Sequence, residues 1–563
     1  MIVSRLTRLI LEGVANAAGE LGLEKVPEES EIELERPPRK ELGDFSTNIA
    51  LVLSSLGVKS LAPRQIAAIV VKNLPDADFV SEAEVAGAGF INFRVRHEWL
   101  YDVLRRVAQE GDSYGRGEPT GARVQVEFVS ANPTGPLHVG TARNAVLGDS
   151  LANLLETAGD GVEREYYFND ANRQMDLFGE SVEARYLQLF GRDAEIPEGG
   201  YEGEYVNDLA REIREEAGDS LLDAPDRRER LQQLAVEKVL VWIRQTLERF
   251  GVRIDTWFNE SSLRTSGAID AVVRKLRDAG HAYEAEGAIF FRATEFGDEK
   301  DRVLIRSNGD PTYFAADCAY VVDKFSRGFD HLVYVWGADH HGTIKRLHGA
   351  AQALGYDPTR VEIVLYQLVS LYRGGEPLRM SKRAGDVVTL DELLDEVGPD
   401  AARYTLLTRG SDSPIDFDIE QVKRQTLDNP VYYVQYAHAR IASILRHAEE
   451  LGVRPRPVGE VSLELLAHDS ELELLRKVNE LPREVQSAAG LRAPYRLTHY
   501  VQDLAAQFHR FYAECRVLTD DEALTQARLW LCVVTKQTIG NVLRILGVSA
   551  PESMERIDEG EPS

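Results

Sequence analysis

Val124-Gln125-Val126-Glu127-Phe128-Val129-Ser130-Ala131-Asn132-Pro133-Thr134-Gly135-Pro136-Leu137-His138-Val139-Gly140-Thr141 joins an alternating run to a turn and then to a helix. Val124 to Val129 alternates as a strand does, and Pro133, Gly135 and Pro136 end it. Beyond the turn, Leu147, Leu151, Leu154, Leu155 and Ala158 fall on one helical face, and Glu163 to Phe168 reads as a second strand. Strand, helix and strand make a βαβ unit, which predicts a doubly wound parallel sheet binding nucleotides at the carboxyl ends of its strands. His138 and Gly140 then stand where a helix begins, with free N–H groups and a dipole that attract phosphate. Gly140 permits close approach, and His138 can donate to a phosphoryl oxygen.

Working outward, Gly111 to Gly121 is rich in glycine, proline and acid and reads as a linker. Before it, residues 1–115 form a small α/β domain. Helices are predicted over 2–22, after Gly43-Asp44-Phe45-Ser46-Thr47-Asn48 with Asp44 or Ser46 as cap, and from about Ala62 to Leu74 behind Pro63. Strands are predicted within Val80 to Val95, broken at Gly87-Ala88-Gly89. A Rossmann-like catalytic domain is expected over 116–409, with a charged helical insertion at about 176–253 and strands at 288–292, 303–306, 331–336 and 361–369. Residues 410–563 carry long helical periodicity over 419–450, 463–488, 492–518 and 521–546 and no convincing strand, which predicts a helical bundle.

The chain of 563 residues is 44% hydrophobic and 28% charged, a globular balance ample for several domains. No apolar run is long enough to span a membrane. Arg5, Arg8 and Glu12 interrupt the first helix, and Glu12 and Glu20 oppose a transit peptide, so a cytoplasmic protein is expected. Cys318, Cys515 and Cys532 are too few and scattered for a disulfide framework or a zinc site. The net charge of −27 excludes a generally basic nucleic-acid coat but not a local basic track. Only 13 of the 65 cationic residues are lysine, so a lysine in a loop stands out. One occurs in Leu378-Arg379-Met380-Ser381-Lys382-Arg383-Ala384-Gly385, after a Gly374-Gly375 turn.

His-x-Gly followed by Met-Ser-Lys resembles the paired signatures of class I aminoacyl-tRNA synthetases. The stretch Glu127 to Gly140 resembles the arginyl-tRNA synthetases in particular. So do Arg164-Glu165-Tyr166-Tyr167-Phe168-Asn169-Asp170, Trp336-Gly337-Ala338-Asp339-His340-His341-Gly342 and Tyr433-Val434-Gln435-Tyr436-Ala437-His438-Ala439-Arg440. Gly43 to Asn48, Gly87-Ala88-Gly89-Phe90-Ile91-Asn92-Phe93 and the terminal Pro551-Glu552-Ser553-Met554 fit the same family, so the likeness runs along nearly the whole chain in order. Two positions depart from it. Thr141 stands where the family often has a second histidine, and Arg379 where the class has lysine. A hydroxyl can still donate to phosphate, and arginine keeps the charge.

The resemblance implies ATP-dependent activation of L-arginine and transfer to tRNA(Arg), with Mg²⁺ on the phosphates. It implies catalytic roles for His138, Thr141 and Lys382, and ATP contacts at His138, Gly140, Thr141, Gly337, Asp339, Met380 and Lys382. It places arginine at Ser130, Asn132, His138, Tyr313 and Asp317. Glu127, near the end of the first strand, is a further candidate for the cationic substrate. Tyr313 and Asp317, four apart, share one helical face. Unstacked bases need aromatic platforms and arginine planes, so Tyr433, Tyr436, Arg440, Tyr512 and Met554 are candidates for the anticodon. Phe90 and Asn92 are candidates for the tRNA corner. The family is usually monomeric, and its activation step needs the cognate tRNA. The alternative is a catalytically silent paralogue acting as an RNA-binding module, which His138 and Lys382 oppose. Another class I ligase is opposed by chain length and by the absence of zinc cysteines.

Overall fold

Arg123–Glu127 takes the centre of a five-stranded sheet, buried from Val124 to Glu127 on both faces, with Val124 and Val126 on one and Gln125 and Glu127 on the other. The computed structural model describes residues 2–37, 39–58, 60–170, 172–378 and 388–554. In chain order the strands of this sheet are Arg123–Glu127, Gly161–Phe168, Thr256–Asn259, His331–Gly337 and Val361–Tyr366. Every pairing is parallel, and their spatial order is 3-2-1-4-5. The order reverses between the first and fourth strands, and such a reversal opens a crevice at the carboxyl ends of the strands.

The helix Val139–Ala158 makes the first crossover, with most of its side chains buried. Helices Arg173–Gln188, Glu204–Ala217 and Arg227–Arg249 intervene before the third strand, as the insertion predicts. Thr256–Asn259 is a strand that the sequence reading passes over, being four residues long with no alternation to mark it. A three-stranded antiparallel sheet (Ala282–Ala285, Ala288–Phe291, Arg302–Ile305) precedes the helix Tyr313–Ser326, which leads to the fourth strand. After the fifth strand, Val369–Arg373 pairs in parallel with Ile415–Asp418. That second strand corrects the expectation of an all-helical region beyond 410.

The chain forms two compact units. One holds the stretch up to Gln109 together with Pro455–Asn479 and Val517–Leu531; the other holds Glu110–Arg454, Glu480–Arg516 and the stretch from Cys532 on. In the first, Ile2–Leu21 and Pro63–Lys72 are helical as expected, and the strands Val80–Ala86 and Phe90–Val95 join at Gly87 to Gly89. The predicted cap of the second helix is corrected. Phe45–Thr47 is a strand, Asn48 is the residue before Ile49–Ser55, and the Asp44 carboxylate accepts from the Val95 N–H at 3.0 Å. In the second unit, Pro430 opens the long helix Pro430–Glu450, which therefore starts later than its periodicity suggests. The predicted 463–488 helix is two, Asp469–Asn479 and Leu481–Gly490, with Pro482 in the first turn of the second. Cys318, Cys515 and Cys532 are buried free thiols, and no helix among the described residues is long and apolar enough to cross a membrane.

Distant parts of the second unit meet at a fully covered guanidinium. Arg403 lies 2.5 Å from the Asp149 carboxylate and also donates to the carbonyls of Phe250 and Leu546. Removing the cation leaves Asp149 buried with one longer ion pair, 3.9 Å to Arg164, and two hydrogen bonds of 3.3 Å, from the Arg253 N–H and from Asn153. Arg403→Leu should therefore lower stability by about 3–5 kcal/mol. The check is the urea midpoint of the transition that includes this unit, and an unchanged midpoint would remove Arg403 from the core of the fold.

Candidate functional site at the carboxyl edge of the parallel sheet

The first strand leaves the sheet through two residues in the left-handed region, Val129 at φ 65° and Ser130 at φ 44°. A β-branched residue is strained there by about 1–3 kcal/mol, and such strain persists only where neighbours hold it. Here they do. Asn144 accepts from the Val129 N–H at 2.5 Å and donates to the Val335 carbonyl at 2.9 Å, clipping the first strand to the fourth across the crevice. Ser130 donates to Glu127 at 3.1 Å and accepts from the Tyr167 N–H at 3.2 Å. Asn132 accepts from the Asn169 N–H and donates to Gln174. Tyr166 donates to the Ala131 carbonyl. The loop that resembles a substrate-binding turn is thus a hydrogen-bonded frame.

His138 stands immediately before the helix Val139–Ala158. Its ring lies over Gly140, where a Cβ would come within 2.8 Å of the imidazole Nδ1, so only glycine fits beneath it. Thr141 donates its hydroxyl to the His138 carbonyl at 2.6 Å, bracing the turn. The Val139 N–H donates to the Val388 carbonyl, and Leu390 N–H to the Leu137 carbonyl. The segment that follows residues 379–387 is therefore pinned beside His138. Met380 and Lys382 themselves lie outside the described residues. Gly337 ends the fourth strand, and a Cβ there would come within 2.4 Å of Asp339. Asp339 sits in the exposed 3-10 turn Ala338–Thr343 that follows.

The crevice is lined with carboxylates, and most already have a cation. Lys324, 1% exposed, lies 2.6 Å from Glu127 and 3.7 Å from Glu165, with the Tyr320 and Tyr334 rings against it. Arg327 is 2.5 Å from Glu165, and Arg264 is 3.1 Å from Glu260. Tyr167 and Asn169 also donate to Glu260. Asp317 alone in this group has no hydrogen-bond or ion-pair partner among the described residues. Burial first, and then the charges of Glu260 and Glu127, push its carboxyl up to about 7. The helix Tyr313–Ser326, capped by Thr312, starts where the spacing of Tyr313 and Asp317 requires, and Tyr313 is 54% exposed above Asp317. Sequence reasoning missed Glu260 and Lys324. The one follows the unread third strand. The other lies seven residues after Asp317 on the same helix, a spacing that could have marked it.

The proposed base-reading residues of the helical region come together. Helices Pro430–Glu450 and Tyr495–Glu514 place the Arg440 guanidinium 4.9 Å from the Tyr436 ring and 5.0 Å from the Tyr512 ring. His509 lies 4.9 Å from Tyr433, and burial with Arg440 nearby lowers its pKa to about 4, so the imidazole is an uncharged member of the stack. The tail ending in Met554 is tied down where His438 meets the Pro551 carbonyl and Arg446 the Glu552 carbonyl. In the other unit Phe90 is 40% exposed, whereas Asn92, two residues along the same strand, is nearly covered.

Three family models match in chain order: an arginyl tRNA synthetase N-terminal domain over residues 5–95, the class I (R) tRNA synthetase catalytic domain over 104–426, and a DALR anticodon binding domain over 434–554. An arginine–tRNA ligase of Heliobacterium modesticaldum is 50% identical over 97% of both chains, and one of Moorella thermoacetica is 52% identical over 96% of both. The solved arginyl-tRNA synthetase of Thermus thermophilus shares the fold, with a TM-score of 0.74 at 24% identity over 98% of this chain and 100% of that one. A parallel sheet of order 3-2-1-4-5 and half its residues in common with these relatives from end to end leave one assignment: the chain belongs to the arginine–tRNA ligases, within class I of the aminoacyl-tRNA synthetases.

Proposed function

We propose that the chain activates L-arginine with ATP and transfers it to tRNA(Arg) for protein synthesis. The observation that carries this reading is Asp317, the one carboxylate of the crevice group with no hydrogen-bond or ion-pair partner among the described residues. A substrate guanidinium is the cation that it lacks, held through paired N–H groups. Tyr313, Ser130 and Asn132 surround the rest of the amino acid. Glu127 and Glu260 lend negative field while keeping their own partners.

In the first step an oxygen of the arginine carboxylate attacks the α-phosphorus of ATP. An O–P bond forms, the bond to the β-phosphate bridge breaks, and pyrophosphate leaves. In the second, a ribose hydroxyl of the terminal adenosine of tRNA attacks the activated carbonyl and AMP leaves. No protein nucleophile is needed, so catalysis is alignment and charge stabilisation. His138 over Gly140 meets the phosphates at the helix N-terminus, Thr141 steadies that turn, Gly337 and Asp339 take the ribose, and Lys382 and Met380 of the second signature serve ATP as the family resemblance implies. Mg²⁺ arrives as part of the Mg·ATP substrate.

The division into 1–115, 116–409 and 410–563 gives each step its surface. Phe90 and Asn92 contact the tRNA corner, and Tyr433, Tyr436, Arg440, Tyr512 and Met554 take anticodon bases. The protein acts as a cytoplasmic monomer. Pyrophosphate exchange into ATP tests the whole reading. It should occur with arginine and no other amino acid, and only when tRNA is present. Exchange driven by another amino acid, or none with cognate tRNA, overturns it.

Two further outcomes are specific to residues. Asp317 must be ionised to hold a guanidinium, so arginine binding below pH 7 should release a proton. Arginine affinity should then rise up to about tenfold per pH unit toward pH 7 and level off above it. Asp317→Asn should raise the arginine KM by roughly 10–100-fold, about 1.5–3 kcal/mol, abolish that pH dependence and spare the ATP KM. Titration calorimetry in buffers of different ionisation heat reads the proton directly, and a pH-independent affinity in the parent protein would misplace the pocket. Tyr436→Ala should raise the tRNA KM by the equivalent of about 1–3 kcal/mol with the arginine KM unchanged, measured by aminoacylation at saturating ATP.

A further inference from the structure

Arg143 lies five residues after His138 on the same helix and is 1% exposed. Its Nη1 donates to the Gln367 carbonyl at 2.6 Å and its Nη2 to the Gly410 carbonyl at 2.8 Å. No carboxylate pairs with it among the described residues, whereas the other large buried guanidiniums, Arg164 and Arg403, each have one. Burial lowers its pKa to about 10. A covered cation that meets only neutral carbonyls is a poor device for stability, because an apolar side chain of the same volume would avoid the desolvation cost. The arrangement calls for another explanation, and the two carbonyls supply it.

Gln367 stands between the fifth strand of the parallel sheet and the strand Val369–Arg373. Gly410 stands five residues before Ile415–Asp418, the parallel partner of Val369–Arg373. Asp418 in turn accepts from the N–H groups of Gly374 and Gly375, fixing the turn from which the chain runs through Leu378 into residues 379–387. The far end of that segment is pinned where Val388 meets Val139. Each prong of the Arg143 fork thus holds one strand of the small sheet that launches the second signature, and the stem of the fork belongs to the helix that begins at His138.

We propose that Arg143 is a positioning residue for the activation step: its planar fork sets the launch point of the segment bearing Lys382 relative to His138. It is not a catalytic residue. Through Gly410 the same fork holds the segment that continues into the helix Pro430–Glu450, which carries Tyr433, Tyr436 and Arg440. The inference rests on the reading that His138 and Lys382 both act on ATP.

Arg143→Met and Arg143→Lys test it in tRNA-dependent pyrophosphate exchange, with turnover expressed per folded molecule as counted by stoichiometric tRNA binding. Both should lose 10–100-fold in kcat while the arginine KM stays within twofold, because the arginine pocket hangs on the first turn and on Asp317. Lysine keeps the charge but has one ammonium in place of a fork, so it should not restore turnover. The parent protein is assayed alongside. Its own failure to exchange would strike the ligase reading, and the variants are judged only against a working parent. Unchanged kcat per folded molecule, a rise in arginine KM at constant kcat, or full recovery with lysine overturns the proposal. So does a failure of both variants to fold, which would make Arg143 a residue of stability alone.

Discussion

One ammonium, Lys324, sits among carboxylates and tyrosine rings inside the parallel sheet, and the carboxyl edge is organised around it. Glu127 and Glu165 lie on adjacent strands in direct register, so their charges would repel in a low-dielectric interior without a shared cation. With Lys324 in place, Glu127 is free to orient Ser130, and Ser130 to hold the second strand through Tyr167. The same neutralisation singles out Asp317. Where neighbouring acids are balanced from within, Asp317 keeps no hydrogen-bond or ion-pair partner among the described residues, which is what makes it the proposed seat of a guanidinium.

The frame around that charge is built from side-chain hydrogen bonds on one side and from backbone hydrogen bonds between distant segments on the other. Val129 and Ser130 store backbone strain that Asn144 holds in place across the crevice. On the other side, Val388 and Leu390 zip onto the turn before the helix, so the segment that follows the second signature shares backbone hydrogen bonds with the first although some 250 residues separate them in sequence.

Much of this was legible in the sequence, and the reason is local. Strand, turn and helix at Val124 to Thr141 are read from alternation and from proline and glycine, features that act within a few residues. That Tyr313 shares a face with Asp317, and Tyr433 and Tyr436 with Arg440, follows from helical spacing, whereas the roles proposed for them come from the family resemblance. What stayed hidden depends on tertiary contact. Lys324 answers Glu127 across 197 positions. Thr256–Asn259 is too short to show a period, and Ile415–Asp418 is a strand only because Val369–Arg373 lies beside it. The cap of Ile49–Ser55 was misplaced because Asp44, a good capping residue by type, is engaged by Val95 instead. The hydrogen bond from Thr141 to the His138 carbonyl was hidden as well, because nothing in a sequence shows which acceptor a hydroxyl meets.

The helix Val139–Ala158 makes the first crossover of the sheet, but several polar groups in its second half are answered from far along the chain. Ser150 donates to the Leu546 carbonyl, Asn153 to Ile545, and Arg403 joins Leu546 to Asp149. During synthesis these groups wait some 390 residues for their partners, so the first crossover can collapse early but cannot be dried out until the last helix has emerged. A nascent chain therefore carries the first crossover of the sheet with these groups hydrated, and the interior of the unit dries only when the carbonyls of Ile545 and Leu546 dock.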